Sequence, residues 1–177
     1  MADDPRDEPL AWKVHARVDK YNGPDADARA LAGDEPDEVT ESDGNLLTTA
    51  GLDKLTKCIT VASTTPVYDN TNSRIGVGNS ATAALIGDVD LNAAAGSANR
   101  QFETMQATFP TQVNGVMTFK VIFTTGEANF VWNEWGIDNG STVTTTVVAP
   151  LLNHKVTALG TKTSASAWTF TVTITLS

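Results

Sequence analysis

Residues 168–176 read Trp168-Thr169-Phe170-Thr171-Val172-Thr173-Ile174-Thr175-Leu176. Large apolar side chains alternate with threonines along the whole stretch, and successive side chains of a strand point to opposite faces. The stretch is therefore a strand with one face on a core and a threonine face toward water. Such a strand belongs to an antiparallel sheet, because parallel strands are covered on both faces and lose the alternation. Trp168, Phe170, Val172, Ile174 and Leu176 are expected to share one side.

Upstream, the same texture continues back to Arg100. Phe102–Phe109 reads as a strand, and Val113-Asn114-Gly115 turns the chain into Val116–Thr125. Phe130, Trp132 and Trp135 lie in a further strand region ending at Asp138-Asn139-Gly140, from which Val143–Leu152 is expected to return antiparallel. Ile75 and Val77, flanked by glycines, suggest a short strand with close backbone packing. The one convincing helix starts at Thr48 or Thr49 as a cap, with Leu52, Leu55 and Ile59 on one face. Val61–Asn72 and Leu91–Asn99 read as loops. The count is seven to nine strands and one short helix, which argues a mainly β, antiparallel β-sandwich or jelly-roll-like domain.

The front of the chain differs. The protein has 177 residues and a net charge of −9, of which residues 1–43 carry −8. Within that front, Trp12, Val14, Ala16 and Val18 alternate with Lys13, His15, Arg17 and Asp19, as in a half-buried strand. Asn22-Gly23-Pro24 then turns the chain into an acidic stretch poor in large apolar residues, read as a solvated loop. The organisation expected is an acidic N-terminal arm over 1–44 and a sandwich over 45–177. Trp12, Val14, Val18 and Tyr21 are the candidate assembly contacts of the arm. Phe130, Trp132, Trp135, Trp168 and Phe170 are the candidate aromatic core.

Composition excludes much chemistry. An acidic chain argues against electrostatic nucleic-acid binding, and no apolar run reaches the length of a membrane span. Cys58 is alone, so no intrachain disulfide and no cysteine zinc site can form. No GxSxG elbow accompanies the two histidines, and His154 reads as a surface or interface hydrogen-bonding group. Asp88-Val89-Asp90-Leu91-Asn92 opens like a calcium loop, but Ala93 and Asn99 stand where glycine and glutamate are needed. Glu127, Glu134 and Asp138 are carboxylates among aromatics, for which bonding a loop backbone is the commoner role than a glycosidase pair. No catalytic residue, cofactor or metal site is assigned.

Four segments together carry a resemblance: Asn45-Leu46-Leu47-Thr48-Thr49-Ala50-Gly51, Ile75-Gly76-Val77-Gly78-Asn79-Ser80, Trp132-Asn133-Glu134-Trp135-Gly136-Ile137 and Leu159-Gly160-Thr161-Lys162-Thr163. In this order before a terminal alternating strand, they resemble small virion proteins of tailed bacteriophages, especially those of actinobacterial hosts. Lys13–Tyr21 is similar to the opening of the same group, with His15-Ala16-Arg17 a departure. The resemblance implies a non-enzymatic capsid decoration or minor capsid protein, made in the host cytoplasm and placed on the outer capsid surface. Its implied partners are the major capsid protein and further copies of itself, a trimer by analogy, with no nucleic acid or membrane. The alternative it leaves open is a minor tail or fibre protein that binds a host glycan through Trp132, Trp135 or neighbouring loops.

Overall fold

A computed structural model describes residues 11–60, 66–146 and 149–177. In chain order the elements are β1 (Trp12–Asn22), α1 (Ala26–Ala32), β2 (Glu38–Asp43), β3 (Leu46–Leu47), α2 (Thr49–Thr60), β4 (Arg74–Gly78) and β5 (Arg100–Thr104). They continue with β6 (Thr111–Val113), β7 (Val116–Phe123), β8 (Val131–Asp138), β9 (Asn153–Thr161) and β10 (Ser166–Leu176). Two antiparallel five-stranded sheets face each other, ordered β2-β1-β10-β7-β6 and β3-β9-β8-β4-β5. The protein is a β-sandwich. No helix among the described residues is long and apolar enough to cross a membrane.

The alternation of β10 fixes the first sheet. Trp168, Phe170, Val172 and Ile174 are buried, and opposite them stand Val14, Ala16 and Val18 of β1 and Phe119, Val121 and Phe123 of β7. The second sheet meets this layer with Ile75, Val77, Trp135, Ile137 and Leu159. Trp132 is the hub of the aromatic core, its ring centroid 4.7 Å from that of Trp168 and 4.8 Å from that of Phe123, while Trp135 stands edge-on to Phe170 at 5.4 Å. Trp132 and Trp135 are three positions apart, so simple alternation would send them to opposite faces. The pairing with β9 slips between Trp132 and Glu134, and that bulge turns both rings inward.

The acidic front is part of the sandwich. All of β1 pairs with β10, Trp12 opposite Leu176 through Asn22 opposite Ser166, and β2 lies on its other side. Val14 and Val18 are buried in the domain's own core, and Trp12 packs against it half-buried. Tyr21 points to the other face of the sheet. There α1 covers it, with Ala26, Ala30, Ile122 and Ala167 forming a second small core. The stretch expected to be a solvated loop thus holds a helix and an edge strand. Small alanines let α1 sit close to the sheet, and Arg29 anchors the connection to β2 by donating to both carboxylate oxygens of Asp37 at 2.9 and 3.0 Å. Asp27 reaches across to accept from the Thr125 backbone at 2.8 Å.

Three other expectations change. The strand expected over Phe102–Phe109 stops at Thr104. Asp138-Asn139-Gly140 is no hairpin turn, because Asp138 points into the protein to bind Arg74; the return strand is β9, and among the described residues between the two strands Thr144 alone bridges to Phe102. Asn114-Gly115 is the true two-residue hairpin, with φ of 50° and 80°. In α2, Thr48 caps the helix by accepting from the Gly51 amide at 2.9 Å, yet only Leu55 of its apolar row packs on the core. Part of the expected loop over Val61–Asn72, residues 61–65, lies outside the described residues.

Candidate functional site

The outward face of the second sheet is also buried, under the segment 79–99 and the connection that leads into β9. Register explains what lies there. Glu134, Gly136 and Asp138 alternate with the inward Trp135 and Ile137, so two carboxylates and a glycine share the outward face of β8. Arg74, Gly76 and Gly78 stand directly opposite on β4, and Arg100 and Phe102 come next on β5. A Cβ on Gly76 would lie 2.3 Å from the Phe102 ring, so the glycine is what lets that ring lie flat across the strand.

Three ion-paired groups occupy this layer. Arg74 and Asp138 are both closed to solvent and bind in bidentate fashion, Nε to Oδ1 at 2.8 Å and Nη2 to Oδ2 at 2.5 Å. The same guanidinium donates to the Thr142 carbonyl and stacks over Phe102 at 4.8 Å. Arg100 donates to Asp90 at 2.6 Å and to the Thr145 carbonyl at 2.7 Å, joining two crossing segments.

The third group is centred on His154, whose side chain is 0% exposed. Its Nδ1 lies 2.6 Å from Asp88 and its Nε2 2.9 Å from Glu134. A carboxylate oxygen faces each ring nitrogen, an arrangement that favours the protonated ring because only the imidazolium can donate from both nitrogens. Burial works against that charge, but the hydrogen bonds to Glu134 and Asp88 outweigh it and hold the imidazole above its ordinary pKa. Glu134 in turn accepts from the amides of Asn92 at 2.9 Å and Ala93 at 2.6 Å, and Asp88 accepts from Leu85 at 2.8 Å.

Chemically this arrangement clamps a loop. No ring nitrogen of His154 is left to take a proton from a substrate, which a general base requires. His154 itself belongs to the wall of an open groove of about 610 Å³, with Gly44, Asn45, Leu46, Ala81 and Lys155, although its side chain is 0% exposed there. Among the described residues no His, Cys, Asp and Glu set is placed to hold a metal ion.

The Asp88–Asn92 run does not form a calcium loop. Its two aspartates bind His154 and Arg100 in place of a cation. His154, expected as a surface or interface hydrogen-bonding group, does hydrogen-bond, but in the interior of this chain. Trp132 and Trp135 are wholly buried, so neither can stack on a sugar. Glu127 and Glu134 both bond loop backbone, Glu127 through the Thr124 amide at 2.7 Å. Phe130, Trp168 and Phe170 lie in the same core as the two tryptophans.

No protein-family model, no curated protein and no solved structure matches the chain.

Proposed function

We propose that this chain is a phage virion structural protein of the capsid-decoration type, binding the outer face of the head and stabilising the major capsid lattice. One structural observation carries the binding part of this reading. The segment clamped by the buried ion pairs exposes Leu85, Ile86 and Val89, with Ile86 62% exposed, and the Thr49 amide bonds the Ile86 carbonyl to bring α2 and its exposed Leu52 alongside. Apolar side chains presented on a rigidly held loop are what a protein-binding face uses.

The choice of partner rests on the resemblance of residues 45–177 to phage virion proteins. A ligand that binds only the assembled lattice stabilises it by mass action, and no catalysis is needed. Saturated hydrogen bonding of His154 supports the non-enzymatic reading. Val14 and Val18, candidate assembly contacts of the front segment, are buried in the domain's own core, which supports docking through the body of the domain.

Co-sedimentation tests the proposal. The protein is expected to pellet with expanded capsids of its phage and to leave purified tails unlabelled. Ile86→Asp is expected to weaken pelleting by about tenfold or more while the fold is kept. Pelleting with tails and not with capsids would overturn the capsid assignment, and unchanged capsid binding by Ile86→Asp would overturn the docking face.

A further inference from the structure

At the open end of the β8–β9 pair a lysine and an asparagine meet. Lys162 comes directly after β9, its backbone amide donating to the Phe130 carbonyl at 3.1 Å, and Asn129 precedes β8 on the same edge. Lys162 is 1% exposed. Its Nζ donates to the Thr124 carbonyl at 2.6 Å and to the Asn129 side-chain oxygen at 3.1 Å. Among the described residues no carboxylate forms a hydrogen-bonded ion pair with the ammonium there. Glu127 is the carboxylate that acts most strongly on it, with Asp27 second.

Such a lysine is prepared as a nucleophile. Burial lowers its pKa to about 8, against the pull of Glu127 and Asp27, so a usable fraction of the amine is neutral at physiological pH. The electrophile is already in contact. Asn129 is also oriented, because its Nδ2 donates to the Thr125 carbonyl at 2.9 Å and so fixes which end of the amide faces the lysine. A buried lysine serving only to tie a loop needs carbonyl acceptors, and the loop offers them in backbone form. Here one acceptor is a carboxamide, whose carbon can be attacked.

We propose that Lys162 and Asn129 become joined by an intramolecular amide bond. The Nζ lone pair attacks Cγ of Asn129, the new C–N bond forms and the Cγ–Nδ2 bond breaks. The proton released from Nζ passes through the Glu127 carboxylate to Nδ2, which leaves as ammonia. The exchange of one amide for another needs no oxidant, cofactor or activated donor. The product pins the loop before β8 to the end of β9 and, unlike a disulfide, survives a reducing compartment. Constraining the unfolded chain in this way stabilises the fold as any internal cross-link does.

Mass spectrometry of the purified full chain tests the proposal. The denatured protein is expected to weigh less than its sequence by one ammonia. Trypsin is expected to leave the bond after Lys162 uncut and to release residues 121–155 joined to residues 156–177 as one branched species. Lys162→Arg and Asn129→Ala should have their full sequence masses, and Glu127→Gln should lose most of the branched species. Recovery of 121–155 as an unlinked peptide with Asn129 intact would overturn the proposal. So would an ammonia loss confined to that linear peptide, which is the signature of a succinimide at one of its asparagines, Asn139-Gly140 included. These readings come from the unmutated protein and stand even if a variant fails to fold. A full yield of branched species from Glu127→Gln would overturn the proton route through that carboxylate.

Discussion

Glu134 Oε2 sits 2.9 Å from His154 Nε2 with both side chains fully closed to solvent, and Asp88 holds the opposite ring nitrogen. The same Glu134 accepts two backbone amides of the 79–99 segment, so the charge state of one imidazole is tied to the position of a whole loop.

That pairing sets the sign of the pH effect. The folded-state pKa of His154 is raised above its ordinary 6.5. Its contribution to stability is therefore fully present below about pH 6.5 and is lost as pH rises through the folded-state value. Thermal melts across this range should show stability falling on the alkaline side, with the 79–99 segment gaining hydrogen exchange first. His154→Gln keeps a donor but cannot titrate, and its melting temperature should lack that component. An unchanged pH slope in the variant would show that another group carries it.

Glu103 gives a second titration, from the other side of β5. It is buried, its Oε2 has no hydrogen-bond partner, and burial, with Glu127 adding repulsion, pushes its pKa up to about 7. A carboxyl raised on folding costs stability as pH climbs from its unfolded value of 4.5 toward 7. Glu103→Gln does not have to ionise. It should be more stable than the parent by about 1–3 kcal/mol at pH 8, and the gain should shrink as the buffer is acidified. Denaturant titrations at two pH values are sufficient to measure this.

Arg74 and Asp138 form the pair most exposed to damage by a single change. Arg74→Met leaves Asp138 buried without its bidentate partner, and breaking such a pair costs about 3–5 kcal/mol. The double variant Arg74→Met with Asp138→Leu removes both charges and should recover a large part of that loss. A double variant as unstable as the single one would mean that the Thr142 carbonyl bond and the stacking on Phe102 matter more than the unpaired charge.

The legible parts of this fold are those with a local period. The terminal strand and β1 could be read because alternation needs only neighbours in sequence. The place of β1 between β2 and β10 depends on pairing with the far end of the chain, which the local alternation that marks it as a strand does not reveal. The buried layer was harder still. Arg74 and Asp138 are 64 residues apart, and His154 and Asp88 are 66 apart, so no local pattern joins them. One signal was present: in Trp132–Asp138 the spacing of Glu134, Gly136 and Asp138 puts two carboxylates on one face of a strand whose other face is apolar. Carboxylates so placed need cations when both faces are covered. The bulge that turns Trp132 and Trp135 the same way has no comparable signal, because register slips come from the partner strand.

Gly76 provides the last test, since it separates the glycine's role in packing from any role in the charged layer. Its φ is not in the left-handed region, so an alanine there meets no backbone strain. What it meets is the Phe102 ring, with Cε1 at 2.3 Å and Cδ1 at 2.5 Å from the new carbon. The ring is wholly buried between Leu91 and Leu151 and under the Arg74 guanidinium, so it has little room to move away. Gly76→Ala should therefore cost about 1–3 kcal/mol, typical of overpacking. Combining it with Phe102→Leu removes the clashing edge and should leave a smaller deficit than the sum of the two single changes, because the residues touch. If the two losses simply add in denaturant unfolding, the trough formed by Gly76 is not what seats Phe102.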